Sequence, residues 1–160
     1  MRVRDAEEAE ISHIAQIWYD GWHDAHVHLV PPELTRLRTL DSFTNRIAAA
    51  LPDVRVIGPL GAPVGFCIVQ GDELYQLFVS AAARGSGVAA ALIDDAEARL
   101  SKNGVETAWL ACAIGNERAA RFYEKRGWHR TGIVVHHPET SQGTFPLEVW
   151  RYEKPLTRPA

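Results

Sequence analysis

Residues 73 to 102 carry the pattern that most restricts the fold. An apolar run, "ELYQLFV", is followed by "SAAARGSG" and then by an alanine-rich stretch. The first run predicts a strand, apolar enough to be buried on both faces. Val88, Leu92, Ile93, Ala96 and Leu100 then recur at helical spacing, and "KNG" at 102–104 supplies the helix stop. Gly85 and Gly87 give up side chains just where this helix begins, at a cost in backbone entropy and with the benefit of close approach to the main chain. The free amides of a helix N-terminus attract anions, and Arg84 adds a fixed positive charge beside them. A strand, an anion-binding turn and a helix must therefore sit on a sheet.

The remaining chain supplies that sheet. Ile11, Ile14, Ala15, Trp18 and Trp22 form a helical stripe, with Glu7, Glu8 and Glu10 as acidic residues of its first turn. A second helical stretch covers 33–51, in one or two pieces. "DVRVIG" and "PVGFCIV" predict strands joined by the turn signal "PLGAP", and "TAWLACA" predicts another. Asn116 caps a helix that runs to Arg126 and ends at Gly127, and two further strands near 129–136 and 146–153 surround the turn-rich "HHPETSQG". No repeat or linker interrupts this order, so residues 1–160 are expected to form a single domain of mixed α+β or α/β class.

Composition excludes several partners. A net charge of -3 without a basic tract argues against nucleic acid. No apolar stretch reaches membrane-spanning length, and "MRVRDAEEAE" lacks the apolar core of a signal peptide, so no membrane and a cytoplasmic location are expected. Cys67 and Cys112 lie in apolar runs and read as small core residues.

The glycine loop has three readings. As a P-loop it fails, because no Lys-Ser/Thr pair follows. As a dinucleotide fingerprint it matches G-x-G-x-x-A, but the next strand ends without the acid that would hold the ribose. The third reading uses Arg84: residues 84–89, "RGSGVA", fit R/Q-x-x-G-x-G/A. Downstream, "NERAARFYEKRGW" (116–128) fits N-x-x-A-x-x-F-Y-x-x-x-G-F/W, one strand and one helix later. Together the two motifs resemble the GCN5-related N-acetyltransferase (GNAT) family over roughly 60–153. The resemblance implies a mixed, mostly antiparallel sheet of six to seven strands, splayed in the middle and flanked by about four helices. The segment "SAAA" before Arg84 departs from the family's usual proline and acidic or aromatic residues, which puts side-chain contacts there in doubt but not backbone ones.

What the resemblance implies about the site follows residue by residue. Arg84, Gly85, Ser86, Gly87, Val88 and Ala89 would cradle the diphosphate of acetyl-coenzyme A, and backbone groups of Leu77, Phe78 and Val79 would bond pantetheine at a bulged, splayed strand. An amide near Val79 would meet the developing oxyanion. The reaction implied is direct attack of a small-molecule or peptide amine on the thioester in a ternary complex. An amine with a pKa of about 10.4 is neutral in fewer than about one molecule in a thousand at pH 7, so a base is required. Glu73, eleven residues before Arg84, occupies the place where some relatives carry that base; a solvated strand-start glutamate is the alternative. Tyr123 matches the general acid that meets the departing thiolate, against a purely packing tyrosine. Asn116 matches a pantetheine contact, although capping alone would explain it.

The acceptor walls correspond to roughly Trp18 to Leu34 and His136 to Thr144, so Trp22, His23, His26 and His28 are pocket candidates. The same histidines invite a metal reading. No local geometry brings all of them together and no cysteine completes a set, so no metal is expected, and "HDAHVHL" reads as a polar connection after the first helix. The acceptor's identity stays open, as does homodimer formation. A coenzyme A-binding sensor, or a family member without transfer activity, is the competing function; it would need neither Glu73 nor Tyr123.

Overall fold

The computed structural model describes residues 2–156. Alternating side chains explain its layers. In strands β2 (Val54–Ile57) and β3 (Gly65–Gln70), Val54, Val56, Phe66 and Ile68 enter one buried cluster while Ile57, Cys67 and Val69 enter another. A strand's side chains point to opposite faces by turns, so an uninterrupted apolar run such as "GFCIV" belongs between two layers. On one face lie helices α1 (Ile11–His26) and α3 (Leu40–Ala50), which contribute Ile14, Trp18, Phe43 and Ile47. On the other lies α4 (Val88–Lys102), whose Val88, Leu92, Ile93, Ala96 and Leu100 are all buried. Fully burying a side chain of this size stabilises the fold by about 1.5–3 kcal/mol. Gly65 lets α4 settle close to the sheet, since a Cβ there would stand 2.9 Å from Leu92 Cδ1.

Seven strands form the sheet. They are β1 (Val3–Asp5), β2, β3, β4 (Glu73–Val79), β5 (Thr107–Ala113), β6 (His129–His136) and β9 (Leu147–Pro155), in the order β1-β2-β3-β4-β5-β9-β6. Every neighbouring pair is antiparallel except β4 and β5. These two register only at Glu73 and Trp109, so they diverge beyond that point. Along β3, Ile68 opposes Gln76 and Val69 opposes Leu74, which leaves Tyr75 as an extra residue in a β4 bulge. Helices α2 (Pro32–Leu37) and α5 (Glu117–Lys125) complete the flanks. Cys67 and Cys112 are both free and buried. No helix of the described residues is long and apolar enough to cross a membrane.

Four expectations need correction. A strand, β1, precedes the first helix and pairs with β2, which brings Arg4 to the carboxylate of Glu10 at 2.9 and 2.7 Å and turns that acid inward. Glu10 is fully buried and caps a short 3-10 turn instead of decorating the first turn of a helix. Helix α1 continues through "HDAH" to His26, since no breaker precedes "VPPEL" and Trp22 keeps its stripe buried. Strand β4 is not buried on both faces: only Leu74 is, because divergence from β5 leaves one side of the rest facing a cleft. "HHPETSQG" holds a small hairpin of β7 (Glu139–Thr140) and β8 (Gly143–Thr144), turned at 141–142 and entering β8 at Gly143 with φ +94°.

Candidate active site

Divergence of β4 from β5 opens a cleft of about 490 Å³ between the helices. Leu77, Phe78 and Val79 form one wall, and Leu110 to Ala113 form the facing wall. Beyond Glu73 the β4 main chain has no strand partner on this side, so its polar groups are open to an extended ligand. Gly21 brings α1 over the cleft, where a Cβ would stand 2.6 Å from the Phe78 ring.

The mouth of the cleft is the glycine loop. Gly85 and Gly87 have φ of +78° and +86°, a region that side chains disfavour, and open space lies where their Cβ atoms would be. Ala91 N–H donates to Gly87 O, so the amides of Val88, Ala89 and Ala90 are the free donors of the helix start. Arg84, Gly85, Gly87 and Ala89 line the cleft. Ser86 and Val88 do not: the Ser86 hydroxyl turns back to Ala83 O, and Val88 packs into the core. Any part they play falls to their amides. Free helix-start amides beside the Arg84 guanidinium suit an anion.

Tyr123 and Asn116 line the far side. Asn116 Oδ1 accepts from Ala119 N–H at 3.3 Å and caps α5, which fixes where that helix enters the cleft. Burial, with Cys112 beside it, pushes the Tyr123 hydroxyl well above the usual phenol range. It is therefore a neutral donor at physiological pH. The Cys112 thiol, also in the wall, is held up at about 12 by burial and is inert as a nucleophile.

A second cavity of about 100 Å³ meets the cleft at the bulge. The two share His26, Tyr75, Gln76, Ala111 and Ala113 as walls. The bulge accounts for this, because it turns neighbouring side chains of β4 toward the same junction. Glu73 lines the smaller cavity, where burial and the Asp72 carboxylate raise it to about 7 against a weaker opposing pull from Arg151. A carboxyl at that value is half ionised near neutrality and accepts a proton far more readily than an ordinary glutamate.

The chain from residue 12 to 128 matches the model of the acetyltransferase (GNAT) family. The protein belongs to the GNAT family. Solved structures agree in fold. A GCN5-related N-acetyltransferase from Rhodopseudomonas palustris is 21% identical with a TM-score of 0.75, over 96% of this chain and 94% of that one. A ribosomal-protein-alanine N-acetyltransferase from Brucella melitensis is 18% identical with a TM-score of 0.72, over 98% and 100%. The PaiA N-acetyltransferase from Thermoplasma acidophilum, solved in complex with coenzyme A, is 16% identical with a TM-score of 0.67, over 96% and 98%. No curated protein matches the sequence.

Within this GNAT fold the pocket candidates divide. Trp22 and His26 line the smaller cavity. His26 Nδ1 lies 3.0 Å from Trp22 O, which assigns the proton to Nδ1, and burial lowers the ring to about 4, so it is neutral. His23 lines neither cavity; its Nε2 bonds Arg38 O at 2.7 Å. His28 is exposed and also lines neither. Trp22, His23 and His26 lie on helix α1 and point in different directions, and His28 lies beyond its end, which the assumption of a loose connection hid. Among the described residues no cluster of three or more His, Cys, Asp or Glu is placed to hold a metal. Residues that sequence reasoning missed are Arg38, Arg46 and Tyr75 of the smaller cavity, and Asp24 and Arg118 at the cleft mouth.

Proposed function

We propose that the protein transfers an acetyl group from acetyl-coenzyme A to an amine of a small molecule or peptide. The observation that carries this reading is the junction at the β4 bulge. There a cleft lined by the Arg84 loop and Tyr123 meets a cavity lined by Glu73. A coenzyme thioester supplies an activated acyl carbon. Glu73 accepts a proton from the acceptor ammonium, directly or through water. Its raised value of about 7 shortens the climb from an amine at about 10.4 to roughly 5 kcal/mol, against about 8 for an unperturbed carboxyl. The amide near Val79 on the open side of β4 faces the developing oxyanion. The Tyr123 hydroxyl donates a hydrogen bond to the departing sulfur. Its raised pKa makes full proton transfer to a thiolate unfavourable, so it stabilises the leaving group and solvent completes the protonation.

Calorimetry with acetyl-coenzyme A, followed by thiol release across an amine panel, tests this. Saturable coenzyme binding with amine-dependent thiol release is expected. Absence of both overturns the reading. Binding without release from any amine would make the protein a coenzyme A-binding sensor.

A further inference from the structure

Two cations line the smaller cavity, and among the described residues no carboxylate pairs with either. Arg38 follows α2 and is only 3% exposed, yet among the described residues its guanidinium bonds only the main-chain oxygen of Glu139, at 2.7 Å, and its buried Nε has no partner. Arg46, on α3, bonds the Tyr75 hydroxyl at 2.7 Å, and its guanidinium lies over the Trp18 ring at 4.2 Å. Both line the cavity with Glu73, and neither forms an ion pair with a carboxylate among the described residues. A guanidinium taken out of water without an anion is costly to the fold, and its planar fork suits a carboxylate.

The electrostatics have direction. Arg46 acts on Arg38 as a like charge, and burial together with that repulsion lowers Arg38 to about 10, so it stays charged at neutral pH. The charges acting on Glu73 are instead Asp72 and Arg151. The arginines and Glu73 thus line one space without pairing with each other.

We propose that the acceptor is a small amino acid, its amine toward Glu73 and its carboxylate on Arg38 and Arg46. The assignment rests on the acetyl-transfer reading for its chemistry and on the unpaired arginines for its ligand. It disfavours polyamines and aminoglycosides, whose several ammonium groups would meet two guanidinium cations.

The test compares free amino acids with their carboxamides and with the corresponding decarboxylated amines. Thiol release in the presence of acetyl-coenzyme A should favour the acid over its amide by tenfold or more in kcat/KM. Arg46→Gln should reduce that acid-to-amide ratio at least fivefold, with a melting temperature near wild type. Arg38→Lys, which keeps the buried charge but loses the fork, should reduce it in the same direction. Amides or decarboxylated amines used as well as acids would overturn the proposal. Should no amine release thiol, the acetyl-transfer reading fails by itself. Calorimetry with the same pairs then decides the carboxylate site: no acid binding more tightly than its amide overturns it.

Discussion

Arg84 Nη2 lies 3.1 Å from Asp24 Oδ2, and Arg118 reaches the same oxygen at 3.4 Å. One carboxylate on α1 thus ties together the glycine loop and the first turn of α5. It is held below the ordinary aspartate range mainly by Arg84, then by Arg118. A diphosphate seated on the loop would compete with Asp24 for Arg84 and would be repelled by Asp24 itself.

Asp24→Asn is therefore expected to tighten coenzyme A binding by about twofold to fivefold, an effect that shrinks as salt screens the charges. Thermal stability should barely move, because all three side chains are well exposed. Arg84→Ala should do the reverse and weaken binding tenfold or more, as expected for loss of a charged contact worth about 1.5–3 kcal/mol. Calorimetry at two salt concentrations measures both. Weaker binding in the asparagine variant would mean that Asp24 positions Arg84 productively.

Glu73 links activity and stability through one pKa. Its folded value of about 7 exceeds the ordinary 4.5, so the folded state holds the proton more tightly than the unfolded chain. The sign follows: below pH 4.5 both states are protonated and no stability is lost, while between 4.5 and 7 the native state loses stability as pH rises. Glu73→Gln should accordingly be more stable than wild type at pH 8 by about 1–2 kcal/mol, after allowing for the group's partial access to solvent, and no more stable than wild type at pH 4, read from melting curves. In kinetics the wild-type kcat/KM should rise through about pH 7. The glutamine variant should lose that limb, with its deficit shrinking at high pH as free amine becomes abundant. A pH-rate profile identical to wild type would remove Glu73 from the mechanism.

Glu10 makes the opposite prediction. Arg4, assisted by the amides of Glu7 and Gly61, lowers it from 4.5 to about 2. Its stabilising effect is fully present above pH 4.5 and is lost as pH falls toward 2. Glu10→Gln should destabilise the protein at pH 7 by about 2–3 kcal/mol and far less at pH 3, read from melting curves.

The contrast between these two glutamates shows where sequence reasoning succeeds. That Arg84, Gly87, Asn116 and Tyr123 share one cleft was legible because each belongs to a contiguous motif at a strand-to-helix junction, where local turn chemistry and helix start fix the geometry. The divergence of β4 from β5 was legible only through the family resemblance, since no side chain announces it. Arg38, Arg46 and Tyr75 were illegible because they come from the end of α2, from α3 and from a bulge, and meet only after the helices dock on the sheet. Glu10 misled for the same reason. Its acidic neighbourhood suits a solvated helix start, and only pairing of β1 with β2 brings Arg4 to it.

Tyr123→Phe should slow acetyl transfer without unfolding the protein. The ring packs near Phe122, Trp128 and Tyr152, with centroids 5.5, 6.3 and 6.2 Å away, and phenylalanine preserves that volume. Among the described residues no hydrogen bond ties the Tyr123 hydroxyl to another group, so its removal strands no partner. What disappears is a neutral donor in the wall of the cleft. General acid assistance is worth about a hundredfold or more and a hydrogen bond to the thiolate somewhat less, so kcat should fall at least about tenfold. The melting temperature and coenzyme affinity should stay close to wild type. Because the raised phenol does not ionise in the working range, the loss should be nearly constant from pH 6 to 9, unlike that of Glu73→Gln. Measurements need saturating acceptor, since weakened acceptor binding would mimic the effect. Full activity in the phenylalanine variant would make Tyr123 a packing residue and leave solvent alone to receive the thiolate.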